Sequence, residues 1–466
     1  MKNFRFKSVI GLFFALLFIL NFYVIIAGLA TASHLLIACG ILLSCFQLYV
    51  LEQFGRKSAI LKNLPYHVMI DDFMAFMPLK FRRFIFAKNT ARLLLNQKQY
   101  QILTKRSKND LTEIIKDNLL SPDDPGFEYL QGNSALISLQ CENFRVVIGS
   151  GQCHQPYSLS MLNFGRLSQK QLSKKHVHAI SQGANIGNCA VNTGEDGLSP
   201  HLIRGGADLI WHMRYNDASF RNDDRSLNEL MVSTIALKPY IKMIEVKFQL
   251  EDLPATKRGL TAFAISSFVK KLRALSEGKP IGIHLLHPGT DLLNFLGKTM
   301  TATGVYFDFI TIENLINGMP VLQNSGIFQQ PFLEAIVSAR KMVNQYQLPT
   351  KIIAAGVIVT EYELLRAIAL GADACFNASD TLIVTRSATD SLKMNRDAQS
   401  IRIANFHRNT IAAACSLMGL CRYKKLTDIN PADFCRKVNG LETKTLKELM
   451  YQTDSAVVRP LYVNLN

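Results

Sequence analysis

Between Ser160 and Asn377 short β-rich runs alternate with longer helical ones, and no other feature narrows the fold so far. The candidate strands are Ser160–Phe164, Ile186–Val191, Asp208–Met213, Lys242–Phe248, Ile281–Leu286, Phe307–Ile312, Lys351–Ala355 and Ala374–Asn377. Helical stretches lie between most of them, at Gln169–Gln182, Thr261–Leu275, Asp291–Thr303, Pro331–Gln345 and Thr360–Leu370. Such a count of strands with helical crossovers is that of a (β/α)8 TIM-type barrel, an α/β fold. A doubly wound open sheet is the alternative, but it would usually carry fewer strands running one way. In a barrel the carboxyl ends of the strands are where a ligand is met. Those ends supply Phe164 and Gly165, Asn192, Thr193 and Gly194, His212, Lys247, His284 with His287, Glu313, Gly356, and Ala378 with Ser379.

Composition bounds the partners. A length of 466 residues suits one large domain with an appendage, and the hydrophobic share of 48% is enough for a sizeable core. The net charge of +16 would suit nucleic acid or an anionic membrane face. No zinc-finger spacing and no aromatic RNP-like run accompanies it, so nucleic acid is not expected. The 9 cysteines are odd in number, without a CxxC pair, and read as buried free thiols in a reducing compartment.

From Ser8 to Leu51 there is no Asp, Glu, Lys or Arg. Val9–Leu29 has the apolar length to cross a bilayer and Leu35–Leu51 is just long enough, with Ala30 to His34 as the connection. Lys2, Arg5 and Lys7 before the pair, and Arg56, Lys57 and Lys62 after it, place both ends in the cytoplasm. A cleaved signal peptide is the rival, though its apolar core would be too long and a second run follows at once. The expected organisation is a transmembrane hairpin over 1–58, a basic juxtamembrane connector over 59–125, the barrel over 126–420 and a helical cover over 421–466. The connector carries Lys80, Arg82, Arg83, Lys88, Arg92 and Lys98, so it either lies along anionic headgroups or forms a solvated basic face.

The run Ala190–Pro200, AVNTGEDGLSP, is the most specific text in the chain. It resembles the NTGE-G-SP signature of the FMN-binding synthase domain of glutamate synthases, with Asp196 at a glycine position. Further pieces fall in the family's order: Asn163–Ser168 (NFGRLS), Gly205–Trp211 (GGADLIW), Ile241–Gln249 (IKMIEVKFQ), Gly278–Leu285 (GKPIGIHL), Asp308–Ile310, Ala369–Cys375 and Ala404–Thr410. The resemblance implies a membrane-tethered oxidoreductase of amino-acid metabolism, acting on a CH–NH2 donor such as a small amino-acid-like substrate. It implies FMN held by Phe164, Gly165, Asn192, Thr193, Gly194, Glu195, Gly356 and Ser379, and chemistry carried by Lys247, His284 and Glu313.

Departures from the family point to altered or impaired chemistry. Its glycine-rich loop is here Glu313–Pro320 with Gly318 alone left, its phosphate lysine is Val357, and Asp380 adds a negative charge near the phosphate turn. Ser387–Ser400 holds no cysteine, so no iron–sulfur cluster is expected. A non-catalytic barrel serving as a membrane-associated binding or scaffold module is the alternative. Glu245 and Lys247 share a strand face and either bind an acidic substrate or satisfy each other. His212, His284 and His287 are the candidate set for a metal, which nothing in their spacing requires.

Overall fold

The computed structural model describes residues 20–57, 97–110, 127–131, 144–248, 258–313, 330–378, 396–438 and 442–451, apart from positions 150, 168, 170, 171 and 287, together with residues 17, 95 and 382. The chain forms two compact units, Met1–Lys88 and Asn89–Asn466.

In the first unit residues 20–30 form a helix (α1), residues 31–33 a turn, and His34–Lys57 a second helix (α2). Asn21 Nδ2 donates to Gln47 Oε1 across the pair at 2.9 Å, and both side chains are buried. Gly40 brings the backbones close, since a Cβ there would stand 2.5 Å from Ile25 Cγ1. Phe22, Tyr23, Leu29 and Leu42 remain exposed. Among the described residues no helix is long and apolar enough to cross a membrane. Residues 9–16, 18 and 19 of the expected first span, and the expected connector apart from 95 and 97–110, lie outside the described residues.

The second unit opens with α3 (Gln97–Ser107), β1 (Glu128–Leu130), β2 (Arg145–Ile148), β3 (Tyr157–Ser160) and β4 (Leu162–Phe164). Then follow α4 (Lys174–Gly187), β5 (Val191–Asn192), α5 (Pro200–Arg204), β6 (Leu209–Arg214), α6 (Glu229–Ala236) and β7 (Ile241–Lys247). The order continues with α7 (Arg258–Leu275), β8 (Ile281–Leu286), α8 (Thr290–Thr303), β9 (Phe309–Glu313), α9 (Gln330–Gln345) and β10 (Lys351–Gly356). Last come α10 (Glu361–Ala369), β11 (Ala374–Asn377), α11 (Arg396–Leu420), β12 (Phe434–Lys437), β13 (Thr443–Thr445) and α12 (Leu446–Tyr451).

Strands β4 to β11 close into a parallel barrel in sequence order, with β11 paired to β4. The expected (β/α)8 barrel is therefore the fold. Its lower end is stoppered by the β2–β3 hairpin, whose Ile148 and Leu159 pack with Ala190, Ile210, Met243, Phe309 and Phe376 from inside the barrel. Antiparallel β1, β12 and β13 form a separate small sheet. Half-buried Glu128 ties that sheet to the barrel, accepting from Arg366 on α10 at 2.6 Å and from Arg436 on β12 at 2.6 Å. Helix α11 packs against α4 and α3.

The differences from the sequence reading have local causes. Ile186 and Gly187 belong to α4 rather than to a strand, because the chain stays helical until Asn188, which caps it in the left-handed conformation at φ 55. Helices α5 and α6 are 5 and 8 residues long, too short to show a periodic face. The expected cover over 421–466 is not all helix, since Thr443–Thr445 pair with β12 before α12 begins.

His407 on α11 reaches into the barrel wall, its Nε2 2.9 Å from the Leu162 carbonyl and its ring edge-on to Phe164. Burial pushes its pKa down to about 4. An unfolded histidine titrates near about 6.5, so the unfolded chain takes up this proton first. Stability is expected to be indifferent to this group above about pH 6.5 and to fall by about 3 kcal/mol as pH drops from there to about 4. Denaturant melts of the wild type and of His407→Gln across that range check it: the variant must lose this part of the slope.

Candidate active site at the barrel mouth

Every barrel strand turns alternate residues inward, so each inward position is followed by the next one two residues on. Ala190, Ile210, Met243 and Phe309 belong to the lower apolar cluster. Two residues along the same strands stand Asn192, His212, Glu245 and Thr311, all of them buried. On β8, Gly282 makes room for the Phe309 ring, where a Cβ would come within 2.3 Å, and His284 follows two residues later. The barrel interior thus changes from apolar to polar in one step, and Lys247 and Glu313 continue the pattern to the mouth.

Glu245 centres this layer. Its Oε2 accepts from Asn192 Nδ2 at 2.7 Å and lies 2.6 Å from His212 Nδ1. Burial alone would raise its pKa, but the hydrogen bond from His212 holds it well below the usual carboxylate range. Burial also pushes the His212 pKa down. The pair therefore stands as an ionised carboxylate and a neutral imidazole that donates Nδ1–H, which leaves the lone pair on Nε2.

A second chain of contacts runs above it. His284 Nε2 lies 2.6 Å from Glu313 Oε2, and Arg166, in the loop after β4, donates to Glu313 Oε1 through Nε at 3.1 Å. Arg166 Nη1 also donates to Glu195 Oε1 at 2.9 Å, and Lys247 Nζ reaches the same oxygen at 2.6 Å. Against the upward push of burial, Lys247 and then Arg166 bring Glu195 down to about 2. His284 and then Arg166 lower Glu313 in the same way. The two layers meet where the His212 and His284 rings stand edge to face, centroids 5.3 Å apart.

Four atoms of this assembly are buried without a hydrogen-bond partner: His212 Nε2, His284 Nδ1, Glu245 Oε1 and Thr311 Oγ1. Each such atom costs about 1–3 kcal/mol if left dry. They are what a polar guest or ordered water would satisfy.

The sequence-predicted residues divide into two groups. Lys247, His284, Glu313 and Glu195 come together in one network. Glu245 and Lys247 share a face as expected but do not pair, each having a different partner. The others face the protein. Phe164 is fully buried, Gly165 N donates to the Asn377 carbonyl at 2.7 Å, and the Gly356 carbonyl accepts from Ala378 N at 2.8 Å. Asn192 Oδ1 accepts from Gly194 N at 3.0 Å, and Thr193 Oγ1 accepts from His212 N at 3.0 Å. Gly194, at φ +69, has no room for a side chain, because a Cβ would stand 2.1 Å from the Leu167 carbonyl oxygen. Ser379 and His287 lie outside the described residues. No group of three His, Cys, Asp or Glu arranged to hold a metal occurs among the described residues. Sequence reasoning passed over Arg166, whose one signal was a lone cation directly after a strand-end glycine.

No family model matches the chain. It is 26% identical over 263 residues to a glutamate synthase large subunit-like protein, YerD, of Bacillus subtilis (strain 168), a stretch amounting to 49% of this chain and 50% of that one. The chain thus spans about half the length of the curated relative it matches. Among solved structures, a mandelate oxidase superposes with a TM-score of 0.45 at 12% identity, over 77% of this chain and 97% of that one. A flavocytochrome b2 variant gives 0.43 at 13% identity, over 77% and 83%. The barrel described by strand order stands without those superpositions, and over about half its length the chain is similar to a glutamate synthase large subunit-like protein.

Proposed function

We propose that the barrel mouth is the site of an FMN-dependent oxidoreductase acting on an amino-acid-like substrate, with chemistry altered from that of glutamate synthases. The observation that carries this reading is the buried polar layer, with four unsatisfied atoms beneath a mouth framed by Arg166 and Lys247. A barrel needs only apolar layers to hold its shape, so a layer that leaves polar atoms unpaired serves something other than stability.

FMN fits this mouth at its ring side. A positive charge at the carbonyl edge of the ring tunes a flavin, and Lys247 is the cation that would stand there. FMN would supply the acceptor for the hydride leaving the substrate carbon. The remaining work falls to the chain itself. Arg166 orients a substrate carboxylate, exchanging its hold on Glu195 for it. His212 accepts a proton at Nε2, because Glu245 fixes its other nitrogen as the donor. His284 is held by Glu313 and offers Nδ1 in the same layer.

A second reading rests on the same ion pairs. Arg166 and Lys247 are already neutralised by Glu313 and Glu195, which is how a non-catalytic barrel kept as a scaffold would present itself.

We further propose that the first unit seats the protein in a membrane, with the barrel on the cytoplasmic side and its basic connector against anionic headgroups. The absence of Asp, Glu, Lys and Arg from Ser8 to Leu51, the exposed apolar side chains, and the Asn21–Gln47 bond that satisfies two buried amides support it.

Three outcomes are expected. The detergent-extracted protein shows flavin absorption near about 450 nm or takes it up with added FMN; a colourless protein that binds none overturns the flavoenzyme reading in favour of the scaffold. Glu245→Ala loses about 3 kcal/mol in a denaturant melt, because it strands the Asn192 amide and His212, while Glu245→Gln loses less. A reporter fused within residues 31–33 reads as non-cytoplasmic, and a cytoplasmic signal rejects the hairpin.

A further inference from the structure

On the outer wall, helices α4 and α5 enclose a concavity of about 250 Å³ lined by Lys174, Lys175, His178, His201 and Arg204. These five residues come from the first turns of α4 and from α5, the helices that come after β4 and β5 in the chain. We propose that this concavity is a binding site for a phosphoryl-bearing anion, separate from the barrel mouth.

Some described surface lysines have acidic partners, as Lys271 has Glu229, Lys351 has Asp373 and Lys444 has Glu442. Lys174, Lys175 and Arg204 converge with no carboxylate paired to them among the described residues, and all three are exposed. Like charges at this spacing repel each other, and an anion placed among them removes the repulsion.

The local backbone adds to the imbalance rather than relieving it. Lys174 and Lys175 open α4, where the helix dipole disfavours cations, and its first turn holds no acidic residue. Helix α10 shows the usual arrangement, with Glu361 and Glu363 in its first turn. The concavity is also built rather than incidental. His178 Nδ1 stands 3.3 Å from the His201 carbonyl, and Ser181 Oγ donates to the Leu202 carbonyl at 2.6 Å, so side chains of α4 pin α5 in place. Gly205 permits the approach, since a Cβ there would lie 2.3 Å from Ser181 Cβ.

The chemistry selects a phosphoryl group. Two lysine ammonium groups, one guanidinium and the His201 imidazole offer donors from several directions, which suits a multiply charged tetrahedral anion better than a single carboxylate. The volume admits such a group with part of what it is attached to. Two sources share that chemistry, a soluble phosphate ester and an anionic lipid headgroup.

The test uses the full chain, purified in detergent, and the triple variant Lys174→Ala/Lys175→Ala/Arg204→Ala. Inorganic pyrophosphate is titrated by calorimetry. Binding of the soluble barrel face to vesicles is read with the protein reconstituted in neutral nanodiscs, using phosphatidylcholine vesicles with and without phosphatidylserine. Loss of three cations is expected to weaken binding by about a hundredfold, at roughly fivefold for each. Pyrophosphate binding lost in the variant supports a soluble ligand. Binding only to phosphatidylserine vesicles, again lost in the variant, supports the headgroup. The exposed substitutions leave the melting transition in place, so misfolding is read separately. Wild type that binds neither probe, or a variant that binds as tightly as wild type, overturns the proposal.

Discussion

The barrel interior depends on one carboxylate. Glu245 has no exposed surface, and an ion moved from water into such a place costs several kcal/mol unless partners meet it. The Asn192 amide and the His212 ring do so, and their own positions are set by β5 and β6, the two strands before its own. Because His212 sits directly across from Glu245 in the β6–β7 ladder, the hydrogen bond also reports the register of those strands. A slip by one residue would turn both groups outward and leave apolar neighbours in a polar layer.

That dependence explains which parts of the molecule were legible in the sequence. Short apolar runs marked seven of the eight barrel strands, and β5 only at Val191, because burial on both faces writes itself into composition. The face shared by Glu245 and Lys247 was equally legible, being a matter of period alone. Their partners were not. His212, Asn192 and Glu195 stand 33, 53 and 52 positions away along the chain from the side chains they meet, and only the closed barrel brings them into reach. The end of α4 was a different failure. Apolar Ile186 invited a strand, whereas Asn188 carried the better signal, a residue type that tolerates the left-handed cap.

The NTGE turn changes meaning once its contacts are known. As text it marks a flavin-family signature, and its glycine suggests close approach of a ligand. In the structure the close approach is made by the chain itself, with the Leu167 carbonyl filling the space a Gly194 side chain would take. Asn192 and Thr193 likewise spend their polar atoms on Glu245, Gly194 and the His212 backbone. Three of the four residues in the motif therefore hold the site together, and Glu195 alone turns its charge toward the mouth. A motif with this division of labour can persist in sequence as long as the barrel keeps its polar layer.

The charges at the mouth carry the same logic one step further. Arg166 and Lys247 face Glu195 and Glu313, two cations against two anions, with His284 beside them. A mouth balanced in this way has little field with which to draw an anion from solution, because opposite charges at contact distance cancel beyond a few ångströms. A carboxylate entering it must replace one of the two already there. Glu195 is the one free to leave, since it is partly exposed at the surface while Glu313 is buried against His284. Selectivity at this mouth is then a competition between a tethered carboxylate and an incoming one, won by whatever the incoming molecule adds through its contacts with the unsatisfied layer beneath.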